Sequence, residues 1–594
     1  MKHKRSVYRY RPKRRRRVRK LRFTLFIIVV AAAAVAAVYF GAQFLGGEKQ
    51  ANPLPSSTPS PAQQAAAPSA EPEAHAVAGT WPSDFDLTYD IMKNGEITES
   101  FIRPQGITFP SSGYTSSDEK YTNLKGVTTF RGDNYRNAAS FGTADVTEEI
   151  LESLWNVGSG TLTRWTGSGY TGQPLIVQWD DSMRQIMNLY PEKKAKQTLT
   201  EVIYPTMDGK IYFIDLDDGT PTRDPLDMGF TVKGTASIDP RGYPILYVGQ
   251  GIGLSGNESR DNSMIHIYSL IDGTEMYQYG FPEKDPFSYR DSWQAWDSSP
   301  LVAADTDTLV WTGENGILYT FNLHSDFDGS AGTVSISPDE PVKYRYTTPL
   351  NGDDALSGIQ PDVRIYGIET SAAAYKNYLF FSDNGGWLQC VDLNTMAPVW
   401  VQDVTDDSDA TCVLEADGAG VYLYTGNEID MSLRAGSQTG LATARKVDAL
   451  TGDILWAVPY ECFAVQGSDS GILASPVVGR GNLDGLVFFT VARTGGSEDT
   501  GLMVAFNKET GEEVWQKAMD RYAWSSPVPV YTDDGTGYLI QCDSGGYMHL
   551  VDGTNGDFLS SVSLGANIEA SPAVFGDIAV VGTRGEKIFG VKIK

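Results

Sequence analysis

From residue 151 to the end, apolar and polar side chains alternate over short runs such as Lys210-Ile-Tyr-Phe-Ile-Asp215 and Gly537-Tyr-Leu-Ile-Gln-Cys542. Gly, Asp and Asn bound each run. A period of two over this length predicts half-buried β-strands, and the glycine turns predict hairpins. The runs belong to a longer unit, which opens on small residues, crosses two β-rich runs around a glycine turn, and closes on Asp-x-x-Thr-Gly, often followed by Trp. Clear copies end in Val447-Asp-Ala-Leu-Thr-Gly-Asp-Ile-Leu-Trp456 and Phe506-Asn-Lys-Glu-Thr-Gly-Glu-Glu-Val-Trp515, with looser ones at Asp392 to Trp400 and Asp552 to Gly556.

Such self-similarity predicts a repeat architecture. Four strands per copy, without helical periodicity between them, make antiparallel sheets that bury both faces only by packing radially. The expected fold is all-β, an eight-bladed β-propeller over 151–594. First strands are expected near Gln173-Pro174, Ser237, Ser299-Pro300, Ser371, Thr411, Ser475-Pro476, Ser526-Pro527 and Ser571-Pro572. The eighth copy stops at Lys594 after three strands, while an orphan Trp strand, Leu154-Trp-Asn-Val157, precedes the first copy. That strand is expected to complete the last blade and remove exposed sheet edges.

The N-terminal end has a different pattern. Residues 1–22 carry 13 Lys or Arg and no acid, and residues 23–45 are apolar and uncharged. At 1.5 Å per residue a helix over 23–45 is about 34 Å long, enough to cross a bilayer. The basic excess places the tail in the cytoplasm and the propeller outside, on a single-pass anchor in the cell membrane. Residues 46–80, rich in Pro, Ala, Ser and Gln, read as an extended linker. Residues 81–150 read as a small β cap or apron, with a hairpin at Asn94-Gly95 and a lead into Gly126-Val-Thr-Thr-Phe-Arg-Gly-Asp133.

Composition narrows the partners. Removing the tail's 13 positive charges from the net charge of −26 leaves −39 on the rest of the chain. Nucleic acid is therefore not expected as a partner. Cys390 and Cys542 end apolar runs and are expected to fill space between blades, while a Cys412–Cys462 bridge stays open as an alternative.

Several motifs imitate chemistry. Asp543-Ser-Gly-Gly546 looks like a nucleophile loop, but Asp383-Asn-Gly-Gly386, Glu314-Asn-Gly316 and Asp208-Gly209 occupy the same place in other copies, so it reads as a hairpin turn without an accompanying His. Gly249-Gln-Gly-Ile-Gly253 lacks the apolar helix a dinucleotide loop needs. Five scattered histidines show no zinc spacing. Asp326-x-Asp-Gly329 and Asp215-x-Asp-Asp-Gly219 lack the Glu that closes a calcium loop. No metal site and no catalytic residue is assigned.

The connections just before the first strands are unusually aromatic and charged. They supply Arg164, Trp165, Tyr170, Trp293, Trp296, Asp297, Glu369, Arg521, Trp524 and Glu569 as candidates for a ligand face. Aromatic planes beside carboxylates suit a glycan, a peptide or a flat cofactor. The same Trp residues would equally serve as wedges between blades. Polar insertions at Gly251–Asn262, Asn427–Thr443 and Arg493–Thr500 are expected to gather on one face.

The Asp-Ala-x-Thr-Gly-x-x-x-Trp endings, the Ser-Pro starts and the count of eight resemble the pyrroloquinoline-quinone-like propeller repeats, over about residues 126–594. Two branches follow from that resemblance: quinoprotein dehydrogenases, and a scaffold propeller of outer-membrane assembly. The first implies a quinone beneath a pair of adjacent cysteines and beside calcium bound by Glu, Asn and Asp. This chain has no adjacent Cys pair. The second implies a lipidated N-terminal Cys, which is also missing. The whole chain looks like membrane-anchored propellers of Gram-positive anaerobes. The expectation is a non-enzymatic, membrane-tethered binding or scaffold module for a protein or cell-wall ligand, with no cofactor. The alternatives are a pyrroloquinoline-quinone and calcium-dependent oxidoreductase, and a glycan receptor.

Overall fold

The computed structural model describes residues 73–594 apart from 112–119, 163–164, 252–262, 282–283, 291–292, 349–365, 431 and 433–435. The basic tail, the 23–45 segment and most of the linker lie outside the described residues. Among the described residues no helix is long and apolar enough to cross a membrane.

Eight four-stranded antiparallel sheets follow one another along the chain. Their innermost strands begin at Leu175, Ser237, Leu301, Ala373, Val413, Val477, Val528 and Ala573, in step with the small-residue starts. The last blade takes three strands from the C-terminus, and Leu151–Gly158 pairs antiparallel with Lys587–Ile593 as its outer strand. The ring is therefore closed by hydrogen bonds between chain ends, as the orphan Trp strand suggested.

The repeated ending has a physical reason. The indole N–H of Trp400 donates to Ala449 O of the next blade (3.0 Å), that of Trp456 to Lys508 O (2.9 Å) and that of Trp515 to Gly553 O (3.1 Å). Trp155 closes the ring in the same way through Leu216 O (2.8 Å). Each indole lies against the glycine that closes the neighbour's turn: Gly452, Gly511, Gly556 and Gly219 for Trp400, Trp456, Trp515 and Trp155. Gly452 and Gly511 adopt φ of 80° and 69°, and a Cβ on either would stand under 3 Å from the ring. Only glycine satisfies both the turn and the approach.

The Ser and Thr starts form a second contact between blades. Ser299 N–H donates to Ser371 Oγ (2.8 Å), Ser371 N–H to Thr411 Oγ1 (3.0 Å), Ser475 N–H to Ser526 Oγ (3.0 Å) and Ser526 N–H to Ser571 Oγ (3.0 Å). Gln173 N–H meets Thr235 Oγ1 (2.8 Å) in blade one. These hydroxyls make a collar around the axis, where side chains must be small.

Residues 81–150 extend three blades. The hairpin Thr88–Lys93 with Glu96–Thr98 adds to the outer edge of blade three, Lys125–Val127 pairs with the inner strand of blade one, and Ser140–Phe141 runs parallel to that of blade eight. Two short helices, Asp181–Ile186 and Pro191–Lys194, interrupt blade one where no helical period was legible. All four cysteines are buried free thiols, so the Cys412–Cys462 bridge is not formed. Cys390 and Cys542 pack in cores between strands.

Candidate functional site

The axis of the ring is closed at one end by the segment 128–139, between the strands added to blades one and eight. Its backbone accepts hydrogen bonds from Ile238 (2.8 Å), Ala374 (2.7 Å), Leu414 (2.9 Å) and Val574 (3.4 Å), reaching blades two, four, five and eight. Two arginines do the rest. Arg131 Nη1 donates to Pro527 O (3.1 Å) and Nη2 to Pro476 O (2.8 Å), in blades seven and six. Arg136 Nε donates to Ala372 O (2.8 Å) and Nη2 to Ser299 O (2.8 Å), in blades four and three. Both are fully buried, at 1% and 0% exposure. Burial pulls each guanidinium down to about 10, so both remain charged at neutral pH.

Above this plug lies a pocket enclosing about 640 Å³ of empty space continuous with solvent. Phe130 of the plug, the collar hydroxyls, Tyr170, Trp524, Asp297, Glu369, Asp409 and Asp469 line it. Its wall follows a register. The residue two positions before each collar residue is Lys233, Asp297, Glu369, Asp409, Leu473, Trp524 or Glu569, in blades two to eight. A further layer comes from turns between second and third strands, with Glu314 after Thr308–Gly313 and Glu428 after Val421–Gly426.

Two sets of three carboxylates converge here, each with ligand oxygens within 4.8 Å of one another: Asp297, Glu314 and Glu369, and Asp407, Asp409 and Glu428. The first set has cations beside it, although Asp297 Oδ1 and Glu314 Oε2 are also buried without a hydrogen-bond partner among the described residues. Lys233 pairs with Asp297, Arg290 Nη2 stands 3.2 Å from Glu314 Oε1, and Asn384 Nδ2 donates to Glu369 Oε1 (2.8 Å). Burial alone would lower Lys233, but Asp297 and then Glu314 hold it well above the usual range. Among the described residues no Lys or Arg forms an ion pair with the second set. Burial, and then the neighbouring carboxylates, push Asp407, Asp409 and Glu428 well above the usual carboxylate range. Burial raises Asp469 to about 6.

The expected ligand-face residues distribute as follows. Tyr170, Asp297, Glu369 and Trp524 meet in the pocket, with Tyr170 and Trp524 rings 5.7 Å apart. Glu569 sits beside Arg584 (3.5 Å) and Asn567 (2.8 Å), and burial raises it. Trp296 is buried among Trp311 and Tyr319 and donates to Ser263 O (3.3 Å), so it wedges blades together. Trp293 is half-buried at φ 57°. Arg521 is exposed beside Asp499 (3.6 Å). Trp165 lies in the short strand Trp165–Thr166, and Arg164 falls outside the described residues. Lys233, Asp407, Asp409, Glu428 and Asp469 were not singled out in sequence. Counting back two from each collar hydroxyl would have found Lys233 and Asp409. One turn reading is corrected: a histidine does accompany Asp543, since His549 Nε2 stands 3.0 Å from its Oδ2.

No protein-family model matches the chain, and no curated protein matches its sequence. Solved structures match in fold. BamB from Moraxella catarrhalis is 14% identical, with 75% of this chain and 98% of that one covered and a TM-score of 0.43. A europium-containing methanol dehydrogenase is 12% identical over 79% of this chain and 98% of its own, with a TM-score of 0.40. The quinohemoprotein alcohol dehydrogenase from Comamonas testosteroni is 12% identical over 79% and 80%, also at 0.40. All are β-propellers; that this chain is one rests on its own eight sheets.

The quinone that the dehydrogenase resemblance implies does not fit these residues. It is a planar tricarboxylate, and the pocket meets it with Asp297, Glu369, Asp409 and Asp469. The quinone's carboxylates need cationic or amide partners, and the lysine at the pocket wall, Lys233, is already paired with Asp297. The Tyr170 ring already faces Lys233 (5.4 Å) and Arg584 (5.3 Å), and Trp524 is tilted 55° to it, so the two rings form no flat floor.

Proposed function

We propose that the protein is a non-enzymatic binding module, tethered to the cell membrane by residues 23–45 and held outside the cell, whose funnel receives a positively charged group of a protein or cell-envelope ligand. One observation carries this reading: the axial pocket is blind at the plug, open at the other end, and lined by Glu369, Asp409 and Asp469 beside Trp524. A blind pocket serves as a receptor, since nothing passes through it. Carboxylates beside an aromatic face favour an ammonium or guanidinium group.

The test is calorimetric titration of the full-length chain in detergent micelles with a lysine-rich peptide and its Nε-acetylated copy. Saturable binding of the charged peptide alone, lost in Glu369→Gln with Asp469→Asn, is the expected result. Equal binding of both peptides, or stoichiometric uptake of pyrroloquinoline quinone, would overturn the reading.

A further inference from the structure

Among the described residues no Lys or Arg forms an ion pair with the second carboxylate set. Asp407 and Asp409 come from the connection between Ala397–Asp403 of blade four and Val413–Ala416 of blade five, and Glu428 comes from the turn after Val421–Gly426. The Glu428 N–H donates to Asp407 O (2.7 Å), which fixes the turn against the connection. Asp407 is 8% exposed and Glu428 2%. Asp407 Oδ1 and Glu428 Oε1 are buried in the set without a hydrogen-bond partner, as is Ser408 Oγ in the same connection.

Burying three carboxylates, two of them with an orphaned oxygen, is costly unless a counter-charge or protons neutralise them. The oxygens lie within 4.8 Å of one another. Three oxygens within that limit lie no more than about 2.8 Å from a common centre, close to the calcium–oxygen range of about 2.3–2.6 Å, so small side-chain adjustments let one ion reach all three. We infer that Asp407, Asp409 and Glu428 hold a divalent cation of the hard, oxygen-seeking class, with calcium as the best fit in size. Asp409 also lines the open pocket, which gives the ion an entry path and room for waters to complete its shell. The donors are three carboxylates without an amide, a different set from the Glu, Asn and Asp that accompany a quinone. This site does not depend on the ligand proposed above and leaves Glu369 and Asp469 facing the pocket mouth.

The test uses full-length protein in detergent, stripped with EDTA and dialysed. Calcium chloride is titrated against thermal unfolding, with potassium chloride at equal ionic strength as the control. Bound metal is counted by elemental analysis after gel filtration. The expected result is about one calcium per chain and a saturable rise in Tm of at least about 2 °C. Asp407→Asn with Glu428→Gln is expected to abolish both while unfolding in EDTA no lower than wild type. Glu314→Gln, in the set already answered by Arg290, is expected to keep them. A wild-type site empty at about 1 mM calcium overturns the proposal, as does an undiminished response in the double variant or its loss in Glu314→Gln. If the double variant does not fold, the wild-type metal count alone decides.

Discussion

The two ends of the axial channel bury opposite charges on opposite terms. At the plug, Arg131 and Arg136 are solvated by backbone carbonyls from four blades, so two desolvated cations are held with no carboxylate in hydrogen-bond contact. At the funnel, Asp407 and Glu428 keep oxygens that nothing among the described residues meets. Buried charge is tolerated when its hydrogen bonds are complete. The complete end is scaffold. The incomplete end is where a partner from outside belongs.

The largest effect should come from breaking the complete end. Arg136→Met leaves Ala372 O and Ser299 O without donors at the axis and should cost at least about 4 kcal/mol in chemical denaturation, with loss of cooperative unfolding the extreme outcome. Trp400→Ala, at an indole docked between blades four and five, should cost about 3–5 kcal/mol by the same measurement. Trp524→Ala, in the small cluster with Leu473 and Ala492 that lines the pocket, should cost less, and equal losses would erase the distinction between wedge and lining.

A pH series sharpens the comparison next. Asp383 lies on the funnel side of blade four with its oxygens met, since Gly385 and Trp387 donate to Oδ1 and Tyr346 to Oδ2. Burial nonetheless holds it well above the usual carboxylate range. The folded state therefore keeps a proton that the unfolded chain releases. The stability it contributes is complete below about pH 4 and is lost as pH rises toward the folded value, at up to about 1.4 kcal/mol per unit. Asp383→Asn should flatten that slope in urea titrations between pH 4.5 and 6.5, values set by about the unfolded carboxylate range. An unchanged slope would show that the acid is ionised in the fold. The smallest effect is the reverse of the Arg136 result. In EDTA at neutral pH, Glu428→Gln should raise stability by about 1 kcal/mol, because burial and the neighbouring carboxylates make the folded carboxyl retain a proton at a cost that the neutral amide does not carry.

The blades were legible because their signals are local: alternation of period two, turn glycines, and a Trp whose partner glycine recurs one copy later. Of the pocket, Asp297, Glu369 and Trp524 were legible as charge and aromaticity just ahead of a Ser or Thr start. Asp409 was hidden among the acids of its connection until the collar gave the register. The plug was not legible at all. Arg131 and Arg136 sit in a stretch without a period, and their acceptors lie 163 to 396 residues away in sequence. No short-range pattern announces a side chain that works at such separation.

The outer strand of the last blade, Leu151–Gly158, is made early and its partner Lys587–Ile593 comes at the very end of the chain. A polypeptide emerging from a ribosome or an export pore must hold that strand unpaired until Lys587–Ile593 has followed it, while the blades assemble around a plug segment that is made before them. A chain cut before Lys587 lacks the strand that joins Ile578–Thr583 to Leu151–Gly158, and so leaves the ring unlatched with two open strand edges facing each other.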